Sequence, residues 1–438
     1  MQHLMWSNVD CVELARMYGT PLYVMDEVVI RARCAEIRET FLEKWPNTSA
    51  CYASKAFLTT AMARIIEQEG LSLDIASGGE LYTALAAKFP ASRIEMHGSA
   101  KSEDELRAAL SYGVGRIMVD GQMELELLAQ LAAKTGKRPE ILIRVTPGVK
   151  PDTHSHIVTG HKGSKFGLPI DGDILENAVS FALNSSSLVL RGFHFHVGSQ
   201  IFKNDTHVES VKRVVELMER LKNKLGFETT ELNFGGGFGV GRIPENAPSH
   251  MQREPHLPLA LFTDPMMEAL TEACRARGLK RPAVCIEPGR WVVAEAGITL
   301  YRVDTIKRLP DMTFVGVDGG MPDNPRPSLY QAVYEAVIAN KASLPVTEKV
   351  TIAGKCCETG DILIESIALP DVERGDVIAV FNTGAYNFSM ASNYNRLARP
   401  AVVLVNDGRA DVIVARQSPD DLLLGDRIPD HMTRVGEK

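Results

Sequence analysis

The segment Ala50-Cys51-Tyr52-Ala53-Ser54-Lys55 is a short apolar run that ends on a lysine. Further apolar runs follow along the chain and are separated by stretches with helical periodicity. The runs are Cys51–Ala53, Leu71–Ile75, Ile94–Met96, Ile117–Val119, Ile141–Ile143, Gly192–His196, Glu231–Phe234 and Val284–Ile286. Eight such runs in alternation with helices predict an α/β fold, a (β/α)8 TIM-like barrel.

Polar or charged residues, or in one case three glycines, stand at or just past the end of each of these runs. They are Lys55, Asp74 with Ser77, His97, Asp120, Arg144, His196 with Ser199, Gly235-Gly236-Gly237, and Glu287 with Arg290. In such barrels the C-terminal strand ends carry the chemistry. Taken alone, His97 or Asp120 is better explained as a loop charge or a paired polar residue. Their recurrence at every strand end indicates a site.

Composition and charge exclude several classes of protein. The chain has 438 residues, 45% hydrophobic and 24% charged, with a formal net charge of -7, so neither nucleic acid nor an anionic membrane is expected as a partner. No apolar run approaches the roughly 20 residues needed to span a bilayer, and residues 1–6 do not resemble a signal peptide. Seven cysteines without CxxC pairs suggest neither a disulfide framework nor a zinc site. We therefore expect a cytoplasmic protein.

The pattern changes after Arg290. The runs Ile298–Val303, Val350–Ala353, Val377–Phe381 and Ala401–Val405 are of β type and are joined by Pro, Asp and Gly turns. The sequence thus predicts a barrel over 27–290 and a β-rich domain formed by 1–26 and 291–438. The early run Pro21–Met25 could pair with either domain. The proline-rich stretch 242–258 is interpreted as a surface insertion.

Several of the strand-end residues would suit a phosphate-bearing carbonyl cofactor. The amine of Lys55 could form a Schiff base. The run Gly235–Gly239 follows a strand directly, so its amides can approach an anion, although its spacing is not the GxGxxG of dinucleotide sites. Glu287 and Arg290 either pair with each other, or the carboxylate holds a pyridine nitrogen protonated.

The ring of His196 offers a flat surface for stacking, and Ser199 could donate to a phosphate. A metal site is the competing hypothesis, because His194 and His196 are two residues apart and share one strand face. Metal-dependent barrel hydrolases need further His and Asp ligands at other strand ends and have little use for Lys55. We therefore predict no metal.

Six motifs occur in the order seen in fold-type III pyridoxal-phosphate-dependent decarboxylases. They are Tyr52-Ala53-Ser54-Lys55-Ala56, His194–Gln200, Gly235–Gly239, Glu287–Arg290, Cys357-Glu358 and Gly384-Ala385-Tyr386. Within that group the chain most resembles the diaminopimelate decarboxylase family, from Gly19 to about Val405. The resemblance implies a barrel that binds pyridoxal phosphate and a mainly β C-terminal domain, as in alanine racemase and ornithine decarboxylase.

The resemblance also implies roles for individual residues. Lys55 would hold the cofactor as a Schiff base, His196 would stack on its ring, and Glu287 would bond the pyridine nitrogen. The other implied cofactor-binding positions are Asp74, Ser199, Gly235, Gly236, Gly237, Gly289, Arg290 and Tyr386. A homodimer is implied in which each active site borrows Cys357 and Glu358 from the other subunit. Lys165 and Asp361 resemble family positions that pair across that interface.

Catalysis would need an acid that returns a proton to the α-carbon after CO2 has left. Cys357 is the predicted acid, since a thiol titrates near pH 8.5 in model peptides, about two units below lysine. Cys356 is adjacent, but the family pattern places the acid directly before the glutamate. With Lys55 and His196, Cys357 completes the predicted catalytic set.

The predicted substrate-binding residues are Arg290, Arg326, Tyr330, Glu358 and Tyr386, whose charges suit a second amino-acid head. The resemblance implies that they grip the distal L-centre of meso-2,6-diaminopimelate while the D-centre loses CO2 to give L-lysine, the last step of lysine biosynthesis. Decarboxylation of D-lysine or D-ornithine stays open, because relatives could share most motifs. A non-catalytic regulator on the same fold and a metal-dependent barrel hydrolase are the alternatives of other classes. One departure is the segment Arg396–Pro400, which lacks one of two Arg-Pro steps typical of the family.

Overall fold

The computed structural model describes residues 2–149, 165–241, 243, 251 and 256–432. The chain divides into two compact units. The barrel unit is Asp26–Gly297 with Asn382–Ser389, and the β unit is Met1–Met25 with Ile298–Phe381 and Met390–Lys438. Most of the stretch 242–258, interpreted as a surface insertion, lies outside the described residues.

The barrel unit is built on eight parallel strands. They are Thr48–Ala53, Ser72–Ile75, Ile94–Met96, Arg116–Val119, Glu140–Thr146, Val189–His194, Glu231–Asn233 and Ala283–Ile286. Each strand pairs with the next along the chain, and the eighth pairs with the first, where Ile286 lies opposite Ala50. This closure leaves no free edge among the eight strands. The predicted (β/α)8 barrel is confirmed, and all eight predicted strands are present.

Helices alternate with these strands. The helix before the first strand is Glu27–Ile37, and those between strands are Thr60–Gln68, Gly78–Ala86, Glu103–Tyr112, Gln122–Thr135, Asp173–Asn184, Asp205–Leu225 and Ala260–Ala276. Local chemistry sets several of their ends. Ser102 and Glu105 form a capping box, and Gly226 ends its helix in the left-handed conformation. No helix of the described residues combines the length and apolar character needed to cross a bilayer.

The β unit is organised around one sheet. Its strand order is Ile362–Leu369, Glu348–Ala353, Thr313–Val317, Gly297–Arg308, Leu22–Asp26, Ala401–Asn406 and Arg409–Val414, while Val377–Val380 pairs with Gly297–Arg308 and with Ala336–Ile338. The strand Leu22–Asp26 therefore belongs to this sheet, which answers the question left open for Pro21–Met25. Short hairpin strands, Met5–Trp6 and Val9–Asp10, and the short helices Cys11–Tyr18, Arg326–Tyr330 and Pro419–Leu423 complete it. The prediction of a mainly β second domain is confirmed.

Candidate active site

The turn that carries Lys55 follows the first barrel strand without a linker. It is a single 3-10 turn, Ser54–Ala56, whose Ser54 and Ala56 are buried while the lysine side chain keeps accessible surface. Three bonds help to fix it: the backbone N–H of Tyr386 donates to the carbonyl of Ala56 at 2.7 Å, the hydroxyl of Ser389 donates to the same carbonyl at 3.2 Å, and the hydroxyl of Tyr52 donates to the carbonyl of Phe57 at 2.7 Å. The end of the strand therefore sets the position of the Lys55 backbone.

A cleft at the C-terminal strand ends collects most of the predicted cofactor residues. Lining it are Ala53, Lys55, His196, Ser199, Gly237, Phe238, Glu287, Gly289, Arg290, Trp291 and Tyr386. Eight of these were predicted as cofactor-binding, while Ala53, Phe238 and Trp291 were not. The predicted residues Asp74, Gly235 and Gly236 do not line the cleft; they support side chains that do.

The glycine run packs against the neighbouring strand ends. Gly236 donates its N–H to Nδ1 of His196 at 3.2 Å, so the ring proton of a neutral His196 sits on Nε2. A Cβ on Gly236 would lie 2.1 Å from the carbonyl oxygen of Glu287, and one on Gly235 would lie 2.8 Å from Nδ1 of His196. Gly237 has φ 94°, a conformation that favours glycine. Close packing, as well as access for an anion, therefore requires these glycines.

One end of the cleft is suited to an anion. Arg290 donates to the hydroxyl of Ser199, with Nη2 3.2 Å from Oγ, and its guanidinium stacks 4.8 Å from the ring centroid of Tyr386. The guanidinium is thus held in place by a hydroxyl on one side and an aromatic face on the other. Arrangements of this kind bind phosphate or carboxylate.

Glu287 is the carboxylate of the cleft lining and is only 4% exposed. Burial raises the pKa of Glu287, against the lowering effect of the Lys55 and Arg144 charges. Burial also raises the pKa of Asp74, and the Glu287 charge adds to that effect. Two buried carboxylates close together thus oppose each other's ionisation, and nearby cations offset this.

Charges around Lys55 decide its protonation. Loss of solvent around Lys55 at the bottom of the cleft would lower its pKa, but the charges of Asp74, Tyr386 and Glu287 outweigh this effect and raise the pKa above its ordinary value. The ring of His196 behaves oppositely, since burial lowers its pKa well below the usual range. The cleft therefore presents a cationic amine beside a neutral imidazole.

The donor set of the cleft fits pyridoxal phosphate. Lys55 is an amine for the aldehyde, Glu287 is a carboxylate for the ring nitrogen, and His196 offers a ring face. Arg290 and Ser199 suit the phosphate.

The predicted residues of the β unit form a second group. Cys357 and Glu358 are exposed, and the N–H of Cys357 donates to Oδ1 of Asn395 at 2.8 Å. Arg326 is buried and stacks over the ring of Tyr330 at 5.1 Å. The hydroxyl of Ser328, on the same helix as Arg326 and Tyr330, donates to the carbonyl of Gly360 at 2.7 Å, which ties that helix to the loop of Cys357.

Asp361 holds the same loop. Its carboxylate accepts the N–H of Met321 at 2.6 Å and that of Cys356 at 2.8 Å, and the side chain is 3% exposed. A Cβ on Gly354 would lie 2.2 Å from Oδ2 of Asp361. The pairing of Asp361 with Lys165 of another subunit stays a prediction.

The arrangement of the histidines differs from the metal hypothesis. His196 bonds the glycine turn, whereas Nε2 of His194 lies 3.4 Å from Oε1 of Glu287. Among the described residues, two groups of three potential ligands come within 4.8 Å of one another: Cys51–Glu95–Cys285 and His97–His194–Glu287. Neither contains His196, so the structure does not bring His194 and His196, the two histidines of the competing metal hypothesis, into one cluster.

A cavity far larger than the cleft lies at the opposite end of the barrel. It encloses about 640 Å³ and is lined by residues at the N-terminal strand ends, among them Arg116 and Glu231, whose Nη2 and Oε2 lie 2.7 Å apart. That face of such barrels serves stability more than chemistry. Volume alone would therefore have misplaced the site.

A family model, curated relatives and solved structures match this chain. The family model of the pyridoxal-dependent decarboxylases, pyridoxal binding domain, matches residues 29–294. The diaminopimelate decarboxylase of Bacillus subtilis (strain 168) is 44% identical over 422 residues, 96% of this chain and 94% of that protein. The structure of diaminopimelate decarboxylase from M. jannaschii in complex with L-lysine has a TM-score of 0.89 at 32% identity and covers 97% of this chain and 96% of that one. The structure of diaminopimelate decarboxylase from Helicobacter pylori complexed with L-lysine has a TM-score of 0.84 at 29% identity. It covers 94% of this chain and 98% of that one.

The barrel with its lysine-bearing turn is thus that of a pyridoxal-dependent decarboxylase, and pyridoxal phosphate is its cofactor. Identity over nearly the full length makes the assignment finer. The chain belongs to the diaminopimelate decarboxylase family.

Proposed function

We propose that the chain decarboxylates meso-2,6-diaminopimelate at its D-centre and releases CO2 and L-lysine. It is a pyridoxal-phosphate-dependent carboxy-lyase and performs the last step of lysine biosynthesis. The observation that carries this function is the meeting of Lys55, Glu287 and Arg290 in one cleft at the C-terminal strand ends. The names of relatives at 38–44% identity, and the L-lysine in two related structures, support the substrate and product.

When bound, pyridoxal phosphate supplies an electron sink for the electron pair left on the α-carbon as CO2 departs. Lys55 would hold the cofactor through its side-chain amine. Glu287 keeps a proton at the ring nitrogen, and His196 supports the ring face. Arg290 and Ser199 fix the phosphate, so the reacting atoms keep one orientation.

The β unit supplies the proton and the distal contacts. Cys357 donates the proton of its Sγ to the α-carbon after CO2 has left. Arg326 pairs with the distal carboxylate, while Glu358 accepts from the distal ammonium and Tyr330 supports the Arg326 guanidinium by stacking. A substrate with a second amino-acid head satisfies all of these groups. D-lysine or D-ornithine does not, because neither has a distal carboxylate.

The functional unit is a homodimer with shared active sites, in which Cys357 and Glu358 serve the barrel of the other subunit. Both side chains are exposed in the single chain, as residues that face a partner would be. Lys165 and Asp361 pair across the same interface.

The direct test uses the full chain loaded with pyridoxal phosphate. The protein is incubated separately with meso-diaminopimelate, D-lysine and D-ornithine, and released CO2 and the amine product are identified. CO2 and L-lysine from meso-diaminopimelate alone support the proposal. Turnover of D-lysine or D-ornithine instead would overturn the distal assignment, and CO2 from none of them would leave a regulator as the better explanation.

A second measurement locates the cofactor. Reduction with sodium borohydride and peptide mass spectrometry should find the pyridoxyl group on Lys55. Lys55→Ala should lose the label, while Lys44→Ala should keep it; Lys44 is a surface lysine with Nζ 2.6 Å from Oδ2 of Asp264. A label on another lysine of the wild-type protein would contradict the assignment.

A further inference from the structure

Two buried histidines lie against Glu287 inside the barrel. Nε2 of His97 is 3.1 Å from Oε1 of Glu287, and Nε2 of His194 is 3.4 Å from the same oxygen. The two rings meet edge to face, with centroids 4.9 Å apart and planes at 77°. His97 also lies 3.8 Å from Asp74 and 3.9 Å from Glu95, so three carboxylates surround one imidazole.

Several of these atoms lack a hydrogen bond of good geometry within the described part of the chain. They are Oε1 of Glu287, Nε2 of His97, both ring nitrogens of His194 and Oδ2 of Asp74. Buried polar atoms in proteins are nearly always bonded, because an unpaired one costs free energy. Nε2 of His97 is the nearer of the two imidazole nitrogens to Oε1 of Glu287, and a small rotation of the ring would complete the bond.

The charge on these rings is set by their surroundings. Burial lowers the pKa of His97 well below its usual range, and the charges of His194, Lys55, Arg144 and Lys101 add to this effect. Burial likewise lowers the pKa of His194. A neutral His97 carries one ring proton, which can serve Glu287 without adding a positive charge to the site.

We propose that His97 is a positioning residue for Glu287: its Nε2–H donates to Oε1, keeps the carboxylate ionised, and leaves Oε2 for the ring nitrogen of the cofactor. His194 holds the His97 ring by its edge-on contact. This inference rests on the proposed function, in which Glu287 bonds that nitrogen. Burial disfavours the ionised form of Glu287, and this bond would act together with Lys55, Arg144 and the side chain of Asn233 to favour it.

The test compares His97→Leu, which removes the donor, with His97→Gln, whose amide places a donor near the same position. His3→Gln is the matched control; His3 forms another histidine–carboxylate pair, with Nδ1 2.8 Å from Oδ2 of Asp10, in the β unit. Two readouts are used: the dissociation constant of pyridoxal phosphate, and the absorption spectrum of the bound cofactor titrated from about pH 6 to 9.

His97→Leu should weaken cofactor binding by about ten- to hundredfold, the range for a lost hydrogen bond to a charged group. The pH midpoint for loss of the proton on the ring nitrogen should move to lower pH, because a neutral Glu287 no longer favours a protonated ring nitrogen. His97→Gln should stay within about threefold of wild type, and His3→Gln should be unchanged. Equal behaviour of the Leu and Gln variants, or a Leu variant like wild type, would overturn the inference.

The wild-type protein offers a check that needs no variant. The ¹⁵N shifts of His97 should report a neutral ring protonated on Nε2. A ring protonated on Nδ1 alone, or stoichiometric metal bound to the purified protein, would overturn the inference. If wild type binds no cofactor, the proposed function fails; if it binds and releases CO2 while His97→Leu keeps its affinity and midpoint, only the role of His97 fails.

Discussion

The backbone N–H of Tyr386 donates to the carbonyl oxygen of Ala56 at 2.7 Å, so a segment from far along the chain holds the turn of Lys55. Two neighbouring bonds strengthen this attachment: Thr383 donates to the carbonyl of Gly297 at 2.9 Å and Gly384 to that of Ala294 at 3.3 Å. Tyr386 itself has φ 70°, which is uncommon for a residue with a side chain. The strain is offset by the contact that its ring makes with Arg290.

The ring of Tyr386 should matter more than its hydroxyl. Tyr386→Phe keeps the stacking on Arg290 and should bind pyridoxal phosphate within about threefold of wild type. Tyr386→Ala loses the stacking and should weaken binding by about tenfold, since a partly desolvated cation–π contact is worth about 1–2 kcal/mol. Fluorescence titration with the cofactor measures both. A Phe variant as weak as the Ala variant would show that the hydroxyl is the important group.

Gly236 should tolerate no side chain. A Cβ there would stand 2.1 Å from the carbonyl oxygen of Glu287, so Gly236→Ala should force the backbone apart and cost about 3 kcal/mol of folding free energy, together with cofactor binding. Gly425→Ala is the control, because its Cβ would meet nothing within 4 Å and its φ lies outside the left-handed region. Chemical denaturation should place the control within about 0.5 kcal/mol of wild type. Equal stability of the two variants would contradict the packing argument.

The barrel was predictable because its signals are local. Each strand is a short apolar run followed by a polar residue, and burial of both strand faces makes such runs stand out. The strand-end rule then placed Lys55, His196 and Glu287 together without any coordinates. The β-rich domain was predictable for the same reason, since its strands are also separate apolar runs.

Relations between distant residues were not predictable. Nothing in the runs indicates that Trp291–Gly297 and Asn382–Ser389 pack with the barrel unit, because that depends on backbone bonds across the chain. His97 was judged unremarkable alone, and only its distance to Glu287 gives it a role. The role of Asn395 as acceptor for the Cys357 N–H was not predictable either. Its signal was the left-handed tendency of asparagine, which is weak in sequence.

Glu95 should make stability depend on pH. Burial raises its pKa to about 8, helped by the charges of Glu287 and Glu231. The pKa of Glu95 in the unfolded chain is about 4.3. The contribution of Glu95 to the free energy of unfolding is therefore greatest below that pH and is lost as the pH rises toward 8. Glu95→Gln, which does not titrate, should therefore gain stability over wild type between pH 5.5 and 8, by more than about 1 kcal/mol.

Thermal unfolding of cofactor-loaded protein at both pH values measures this difference. Glu272→Gln is the control, because Glu272 is an exposed residue on the helix Ala260–Ala276. Its difference from wild type should be the same at the two pH values. A Glu95→Gln difference that is constant with pH would mean that the carboxylate is ionised in the folded protein at both.

Asn395 should affect catalysis without affecting cofactor binding. It accepts the N–H of Cys357 and has φ 52°, a conformation that asparagine tolerates better than alanine. Asn395→Ala should lower the rate of CO2 release by about tenfold, equivalent to about 1.4 kcal/mol, while Asn395→Asp keeps the acceptor and most of the rate. Cofactor affinity should be unchanged in both. A loss of affinity would show that the loop has another role.

Shared active sites can be tested with hybrid dimers. Lys55→Ala and Cys357→Ala homodimers should both be inactive. In a mixture, about half of the dimers are hybrids, and each hybrid pairs an intact barrel on one subunit with an intact Cys357 on the other. One site in two is then restored, so the mixture should recover about a quarter of the wild-type rate. If each subunit forms its own site, no combination of these chains is intact and the rate stays at zero.

The matched control combines two substitutions that both lie in the barrel unit. Lys55→Ala mixed with Glu287→Ala should remain inactive, because both barrels of every hybrid carry a defect whichever subunit supplies Cys357. Differently tagged chains purified through both tags isolate the hybrid and should raise recovery to about half. Recovery in the first mixture but not in the second depends on Cys357 crossing between subunits, since improved folding or subunit exchange alone would act on both mixtures alike.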